Sequence, residues 1–464
     1  MKTRLGFLPC HRYPYDEDWA SDMRQRCQKA LRALEDVELV TPSGSLMHNG
    51  LLRDDAGAQA AIDLFAQRGV HGLLLGAMTR ADEVAACSVA QALNVPVLVL
   101  AACANGTEDE SVKRSDAWAG ALAIAAGLRR RKIAYAFAGA FAPEDEGLRL
   151  TVASFARGCA ALQSLMGARI GLVGVAGERD DLALAGRAAL LQRLRAQVVP
   201  IEMGTLLAAA AEIAEDDHRA VAIGRSLAKE ADCSACDDAV LAKLARLELA
   251  LAAQCKERAL SAVALSSVED VQARYGVAFA AALGRLNAGG TLAVDDADVY
   301  AAASLLLLRG AAGAEAVPTT VELALPNPQQ RNEILVRNAG SAAPTLAAPP
   351  AAAVLGTSWR LAALAPERAL GAWHFALRPG AVTLGRLDEL EGRLRLLIVS
   401  GDLVPAEEPR GEVWGMLHVA DRERLYAALG EGGWPARLCL VHADVAEALQ
   451  MLCRAADIEA VRPT

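Results

Sequence analysis

The sequence predicts an α/β protein: two doubly wound parallel-sheet domains followed by a small β-rich C-terminal domain, antiparallel or barrel-like. Short apolar runs alternate with helix-period patterns through most of the chain, the pattern of strands covered by helices on both faces. The composition is 53% hydrophobic but only 4% aromatic, as in Ala-, Leu- and Val-rich helices packed on such strands. After an Ala- and Pro-rich stretch at 341–353, including Ala347-Ala348-Pro349-Pro350, the pattern changes to clustered β runs. A chain of 464 residues holds two to four cores, and these shifts place domains at 1–165, 166–345 and 346–464.

In the first domain, strands are expected at 4–9, 37–41, 72–76, 95–102 and 133–139, with helices near 18–34, 56–68, 81–93 and 116–129. Ser115 or Asp116 opens the last of these helices as an N-cap. The second domain begins with a strand from Ala168 into a turn where Gly171, Gly174 and Gly177 are spaced G-x-x-G-x-x-G. That is not the G-x-G-x-x-G pattern of dinucleotide sites, so no such cofactor is expected. Strands follow at 198–202, 262–266, 291–294 and 319–325, with a long helix near 239–253. In the last domain, strands at 381–386, 393–400, 413–419 and 438–442 precede a closing helix at 443–456.

A net charge of −9 and the lack of any basic stripe argue against a nucleic-acid partner. The one basic knot, Arg129-Arg130-Arg131-Lys132, reads as a solvated helix end. No stretch approaches the roughly 20 apolar residues of a membrane span. The N-terminal residues read as a first strand and not as a signal peptide. Ten cysteines without framework spacing point to reduced thiols and a cytoplasmic protein. The close pair Cys233 and Cys236 has no second pair to complete a zinc site.

The stretch that carries chemistry runs from Gly289-Gly290 through a short apolar run to Asp295, Asp296 and Asp298, and then into the apolar segment 301–308. Strand, acidic crest, helix is the place where an open α/β sheet presents ligands, beyond the carboxyl ends of its strands. Carboxylates this close repel one another, so a cation, a proton or open water is expected beside them. The competing reading is that one of the three simply caps the helix.

Asp296-Ala297-Asp298-Val299-Tyr300-Ala301-Ala302 resembles the segment of L-fucose and L-arabinose isomerases that carries a catalytic, metal-binding glutamate. There the pattern is Cys-Glu-x-Asp, an apolar residue and a small-residue helix; here Asp295 and Asp296 stand at the first two positions. Val70–Gly76, Asp82-Glu83 and Val95–Leu100 are similar to the family's first domain. Lys113-Arg114-Ser115-Asp116-Ala117-Trp118-Ala119-Gly120 is similar to its Arg-Ser-Asp-x-x-x-Gly block. Two α/β domains followed by a small β domain is also the family's order.

The resemblance implies aldose–ketose isomerisation, with two acids moving a proton between adjacent carbons and a divalent ion such as Mn²⁺ polarising the oxygens. Carried over by position, Asp296 and Glu322 become the acid/base pair and the only, weak, metal ligands, while Asp298, Asn338, Ser115 and Asp116 fall on substrate-binding positions. Glu322 reads equally well as an outward residue of an edge strand.

The departures concentrate at the metal. Aspartate in place of glutamate at Asp296 retracts the carboxylate by about 1.5 Å. Asn338-Ala339-Gly340 stands where the family has His-Cys-Gly, and Gly432–Arg437 lacks the histidine expected there. Ser266-Ser267 replaces a Cys-Trp block. His442 reads as a buried, satisfied histidine, and His374 and His418 lack ligand spacing. No cofactor, or a weakly bound divalent metal, is therefore expected.

Three functions compete: a sugar isomerase with a remodelled site, a non-catalytic ligand-binding or regulatory relative of an active isomerase, and metal-independent proton transfer on the same scaffold. The expected partners are a small carbohydrate-like ligand and further copies of the chain in a homo-oligomer.

Overall fold

The computed structural model describes residues 2–103, 115–174, 188–266, 268–349, 353–405 and 411–463. Lys113, Arg114, Gly177 and Ser267 lie outside these residues. The chain forms two compact units, Met1–Gln163 with Glu447–Ala460, and Ser164–Ala446 with Val461–Thr464.

In the first unit, β1 (Thr3–Cys10), β2 (Val37–Val40), β3 (Gly72–Ala77), β4 (Val97–Ala102) and β5 (Ala136–Phe141) form a parallel sheet in the order 2-1-3-4-5. Strand alternation divides its side chains between two cores. Leu73, Leu75, Val97 and Val99 meet the helices Asp55–Arg68, Glu83–Leu93 and Ala117–Arg130. Leu5, Phe7, Leu74 and Leu98 meet Glu17–Arg32, Glu146–Leu165 and the returning helix Ala446–Ala456. Asp16, Asp54 and Asp82 cap three of these helices through their side chains.

In the Ser115–Gly120 block, Asp116 has a different role from the cap expected of it. Asp116 stands at the N-cap position with φ 47° and makes no cap bond. Its carboxylate pairs with Arg80 at 3.1 Å, and the Ser115 carbonyl accepts from the Arg80 amide at 2.7 Å. Gly120 lies against the same turn: a Cβ there would stand 2.5 Å from the Thr79 carbonyl oxygen and 2.8 Å from the Ala81 nitrogen. The block is a clamp on the turn after β3, and its glycine is required because backbone meets backbone. Gly120→Ala is expected to destabilise this unit by about 1–3 kcal/mol in chemical denaturation, the usual cost of overpacking.

In the second unit, β6 (Arg169–Val173), β7 (Gln197–Ile201), β9 (Ala262–Leu265) and β10 (Leu292–Val294) form a smaller parallel sheet in the order 10-9-6-7, wound as the first one is. The remaining strands are β8 (Ala231–Asp232), β11 (Thr319–Pro326), β12 (Glu333–Asn338), β13 (Ala353–Thr357), β14 (Leu370–Ala376), β15 (Gly380–Leu390), β16 (Arg393–Val404), β17 (Val413–His418) and β18 (Arg437–Val441).

Six of these close on themselves. β16 pairs with β15, then follow β18, β11, β12 and β17, and β17 returns to β16, every pairing antiparallel. The C-terminal region is thus a β-barrel, and closure leaves no strand edge open along this circuit. The segment at 319–325, expected in the second parallel sheet, is a barrel strand instead. Periodicity reports that a strand exists but not which sheet recruits it.

The helix Val299–Ala312 links the parallel sheet to the barrel. Val299 through Leu308 are all buried, since it packs on β6, β9 and β10 on one side and on β15 and β18 on the other. A helix covered all round has no polar face to write in its sequence, which explains the unbroken Leu305–Leu308 run. Ser304 donates to the Tyr300 carbonyl at 2.7 Å and accepts from the Leu387 amide of β15 at 2.8 Å.

Asp298 settles which crest carboxylate caps this helix: it accepts from the Ala301 amide at 2.8 Å. The same carboxylate holds Arg386 of β15 in a two-pronged pair at 2.6 and 3.0 Å, with both side chains under 10% exposed. Asp298→Ala is expected to cost about 3–5 kcal/mol, because Arg386 is left buried and unpaired. Adding Arg386→Met should recover part of that loss in the same urea titration.

No helix among the described residues is long and apolar enough to cross a membrane. All ten cysteines are free. Cys233 and Cys236 send their thiols to different carbonyls, those of Leu227 and Leu355.

Candidate functional site

The crest and the barrel meet at Arg437. β11 sets Glu322 opposite Arg337 of β12 on one side and Arg437 of β18 on the other. Val321, Val336 and Leu438 point into the core, so alternation turns Glu322, Arg337 and Arg437 outward. Beyond the end of β10, Asp295 and Asp296 reach the same guanidinium. Arg437 Nη1 lies 3.4 Å from Asp295 and 3.0 Å from Asp296, and its Nη2 lies 3.0 Å from Glu322.

Asp296 and Glu322 are therefore brought together from two different sheets, and a cation stands between them. Burial opposes the charge on Arg437, but Asp295, Asp296 and Glu322 outweigh it and raise its pKa. Asp295 is buried, while the Asp296 and Glu322 side chains are 40% and 50% exposed and open to a ligand. Arg360, paired with Glu269, also has its charge favoured by the fields of Asp295 and Asp296, against the effect of burial. A cleft lined by Asp295, Thr320, Glu322, Arg337, Asn338 and Arg437 encloses about 10 Å³, the room of a single water. A larger ligand would sit on its open side.

Arg437 is held by what precedes it. Arg395 pairs with Asp388 at 2.6 and 3.1 Å, donates to the Gly432 and Gly433 carbonyls, and stacks 4.0 Å over the Trp434 ring. The turn into β18 is fixed by this network, and with it the start of the strand that bears Arg437.

The other residues singled out from sequence are placed as follows. Asn338 is buried beneath the cleft, where it donates to the Thr320 carbonyl at 2.9 Å and accepts from the Ser341 and Ala342 amides at 2.7 and 3.0 Å. It ties the turn after β12 to β11. Asp298 is engaged by its helix and by Arg386. Ser115 and Asp116 belong to the first unit, at the Arg80 turn. Sequence reasoning missed Arg437, Arg337 and Arg360. A signal for the first was present, a lone arginine opening a strand in the stretch searched for a histidine.

This donor set does not fit the divalent metal that the resemblance to these isomerases implies. The carboxylates already face a guanidinium, and among the described residues no histidine is paired with them. A dication about 4 Å from Arg437 would meet repulsion of roughly 8 kcal/mol at a near-surface dielectric. Among the described residues no group of three or more His, Cys, Asp or Glu side chains is arranged to hold a metal ion.

Residues 6–166 match the family model for the N-terminal domain of fucose/sulfoquinovose isomerase. That stretch of the chain is thus similar to the N-terminal domain of the fucose/sulfoquinovose isomerases. Over 226 residues it is 25% identical to the sulfoquinovose isomerase of Priestia aryabhattai, and equally so to that of Priestia megaterium (strain ATCC 12872 / QMB1551). Each match covers 48% of this chain and 48% of the relative, so the chain spans about half the length of the curated relatives it matches. Among solved structures, a periplasmic solute-binding protein of an ABC transporter from Actinobacillus succinogenes 130z with bound D-allose aligns over 63% of this chain and 77% of its own. At 7% identity and a TM-score of 0.17 that likeness carries no argument.

If Arg437 takes the place of a cation, removing it should open the site to one. Arg437→Ala is expected to lose about 3–5 kcal/mol of stability, since buried Asp295 loses its countercharge. Mn²⁺ should then raise the melting temperature of the variant and leave that of the wild type unmoved. A matching Mn²⁺ shift in the wild type would show that the guanidinium excludes nothing.

Proposed function

We propose that this isomerase relative binds a sugar-like polyol at the Asp295–Asp296–Glu322 cluster, with Arg437 supplying the positive charge that a metal supplies in the resembled family. The observation that carries this reading is the single guanidinium within ion-pair distance of all three carboxylates. Around the cleft, Glu269, Asp295, Asp296 and Glu322 stand against Arg337, Arg360 and Arg437, so neither sign dominates. Such a surface suits a neutral ligand whose hydroxyls donate to the exposed carboxylate oxygens. A guanidinium in the cation's place is a hydrogen-bond donor and not a Lewis acid, so aldose–ketose interconversion of the family type is not the role proposed.

The test is calorimetric titration with a panel including L-fucose, L-arabinose and sulfoquinovose, with and without Mn²⁺. One ligand is expected to bind equally well in chelator, with affinity lost in Glu322→Gln and Asp296→Asn. Mn²⁺-dependent ketose formation at about 1 s⁻¹ or faster, within the ordinary range of enzymes, would overturn the proposal in favour of a working metalloisomerase.

A second reading rests on the exposure of Asp296 and Glu322. A carboxylate that keeps access to solvent can take a proton from a carbon beside a carbonyl without a metal. Incorporation of solvent deuterium into a bound sugar, abolished by Asp296→Asn or Glu322→Gln, would favour it.

A further inference from the structure

β18 carries Arg437 at its start, and just past its other end, about 17 Å away by strand rise, lies His442. Here a cavity of about 260 Å³ opens among Glu315, Val317, Thr345, Arg378 and His442, all within the second unit. The acidic crest follows the carboxyl end of β10, whereas Ala288 on this cavity's wall precedes that strand, so the two sites occupy opposite ends.

His442 gives the cavity its character. Its Nε2 lies 2.9 Å from the Arg378 carbonyl oxygen. A carbonyl only accepts, so Nε2 carries the proton, and in the neutral ring Nδ1 is then a bare acceptor. Nδ1 is buried and meets no partner among the described residues. Burial lowers the His442 pKa; the bond to the Arg378 carbonyl opposes this in part, and the Arg378 guanidinium adds to it. The ring was read from sequence as satisfied, yet half of its hydrogen-bonding capacity is unused, a cost that a donor would relieve.

The other two groups define what that donor belongs to. Arg378 is exposed, and among the described residues its guanidinium makes only a long contact, 3.4 Å, to the Thr345 carbonyl. It offers its remaining N–H groups to an anion. Glu315 at the rim is a second acceptor. Two acceptors and one cation call for a molecule with hydroxyls and one negative group. An ammonium is disfavoured beside Arg378, where the ring itself resists a positive charge. The volume is that of a monosaccharide-sized molecule, at the small end of ligand pockets.

We propose that this cavity binds a small polyhydroxylated carboxylate, a sugar acid in chemical class, with the carboxylate on Arg378 and a hydroxyl donating to His442 Nδ1. The site is independent of the acidic crest, and the experiment separates the two. The full chain is titrated calorimetrically with gluconate, glucose and inorganic phosphate, alongside the variants Arg378→Gln, His442→Phe and Glu322→Gln.

Gluconate is expected to bind once per chain, to weaken about tenfold or more in Arg378→Gln and in His442→Phe, and to be unaffected by Glu322→Gln. Glucose should bind far more weakly. Arg378 is a surface residue, so its variant keeps the test valid if His442→Phe does not fold. Three results would each overturn the proposal: no gluconate binding at millimolar concentration, meaning that the cavity holds only water; binding indifferent to Arg378→Gln; or phosphate binding as well as gluconate, meaning an anion subsite without hydroxyl recognition.

Discussion

The pair between Asp298 and Arg386 is the constraint on which the second unit depends. Both side chains are almost wholly buried, so neither tolerates the other's loss. Asp298 starts the helix Val299–Ala312, and Arg386 sits in the long β15 strand of the barrel. One carboxylate therefore fixes where a buried helix begins, how it is turned, and which barrel strand lies beside it. The bond from the Leu387 amide to Ser304 and that from Tyr300 to Glu389 at 2.6 Å continue the same seam. Burial and the neighbouring Glu389 push the Tyr300 pKa up, so its hydroxyl stays a donor.

The geometry of the candidate site follows from that seam. With Asp298 committed to structure, Asp295 and Asp296 project just beyond β10 and are presented to the outer face of the barrel. There the antiparallel register places Glu322 between two arginines on neighbouring strands, an arrangement favourable in itself as a cross-strand charge pair. Arg437 joins two sheets and three carboxylates. The same atoms that hold the barrel to the parallel sheet are those proposed to meet a ligand, which would couple stability and binding at this position. The cation among these carboxylates is covalently attached to the chain, and its geometry is set by the Arg395–Trp434 turn.

Much of this was legible from sequence. The alternation of apolar runs and helical patterns is dictated by burial on both faces, and it located the five strands and the first four helices of the first unit to within a few residues, but not the helix Glu146–Leu165. The shift to β patterning after the Ala/Pro stretch pointed to four of the six barrel strands, β15 to β18, while β11 and β12 lie before it. The crest announced itself because three carboxylates in four positions require compensation. The carboxylates' partner did not, since a guanidinium that comes from 142 residues away along the chain leaves no local pattern.

What the sequence by itself determined is every feature set by local periodicity and residue chemistry: the α/β class, the change to antiparallel strands, the strand–crest–helix site, and the departures from the isomerase pattern at Asp296 and Asn338. What only the tertiary structure decided is the pairing. Which carboxylate caps and which remains open, that β11 joins the barrel, that Asn338 ties β12 to β11 and that Arg437 stands among the acids all depend on contacts between segments far apart in the chain. Burial and charge compensation select those contacts only when the whole unit has closed, because a residue's period shows which way it faces but not what it meets.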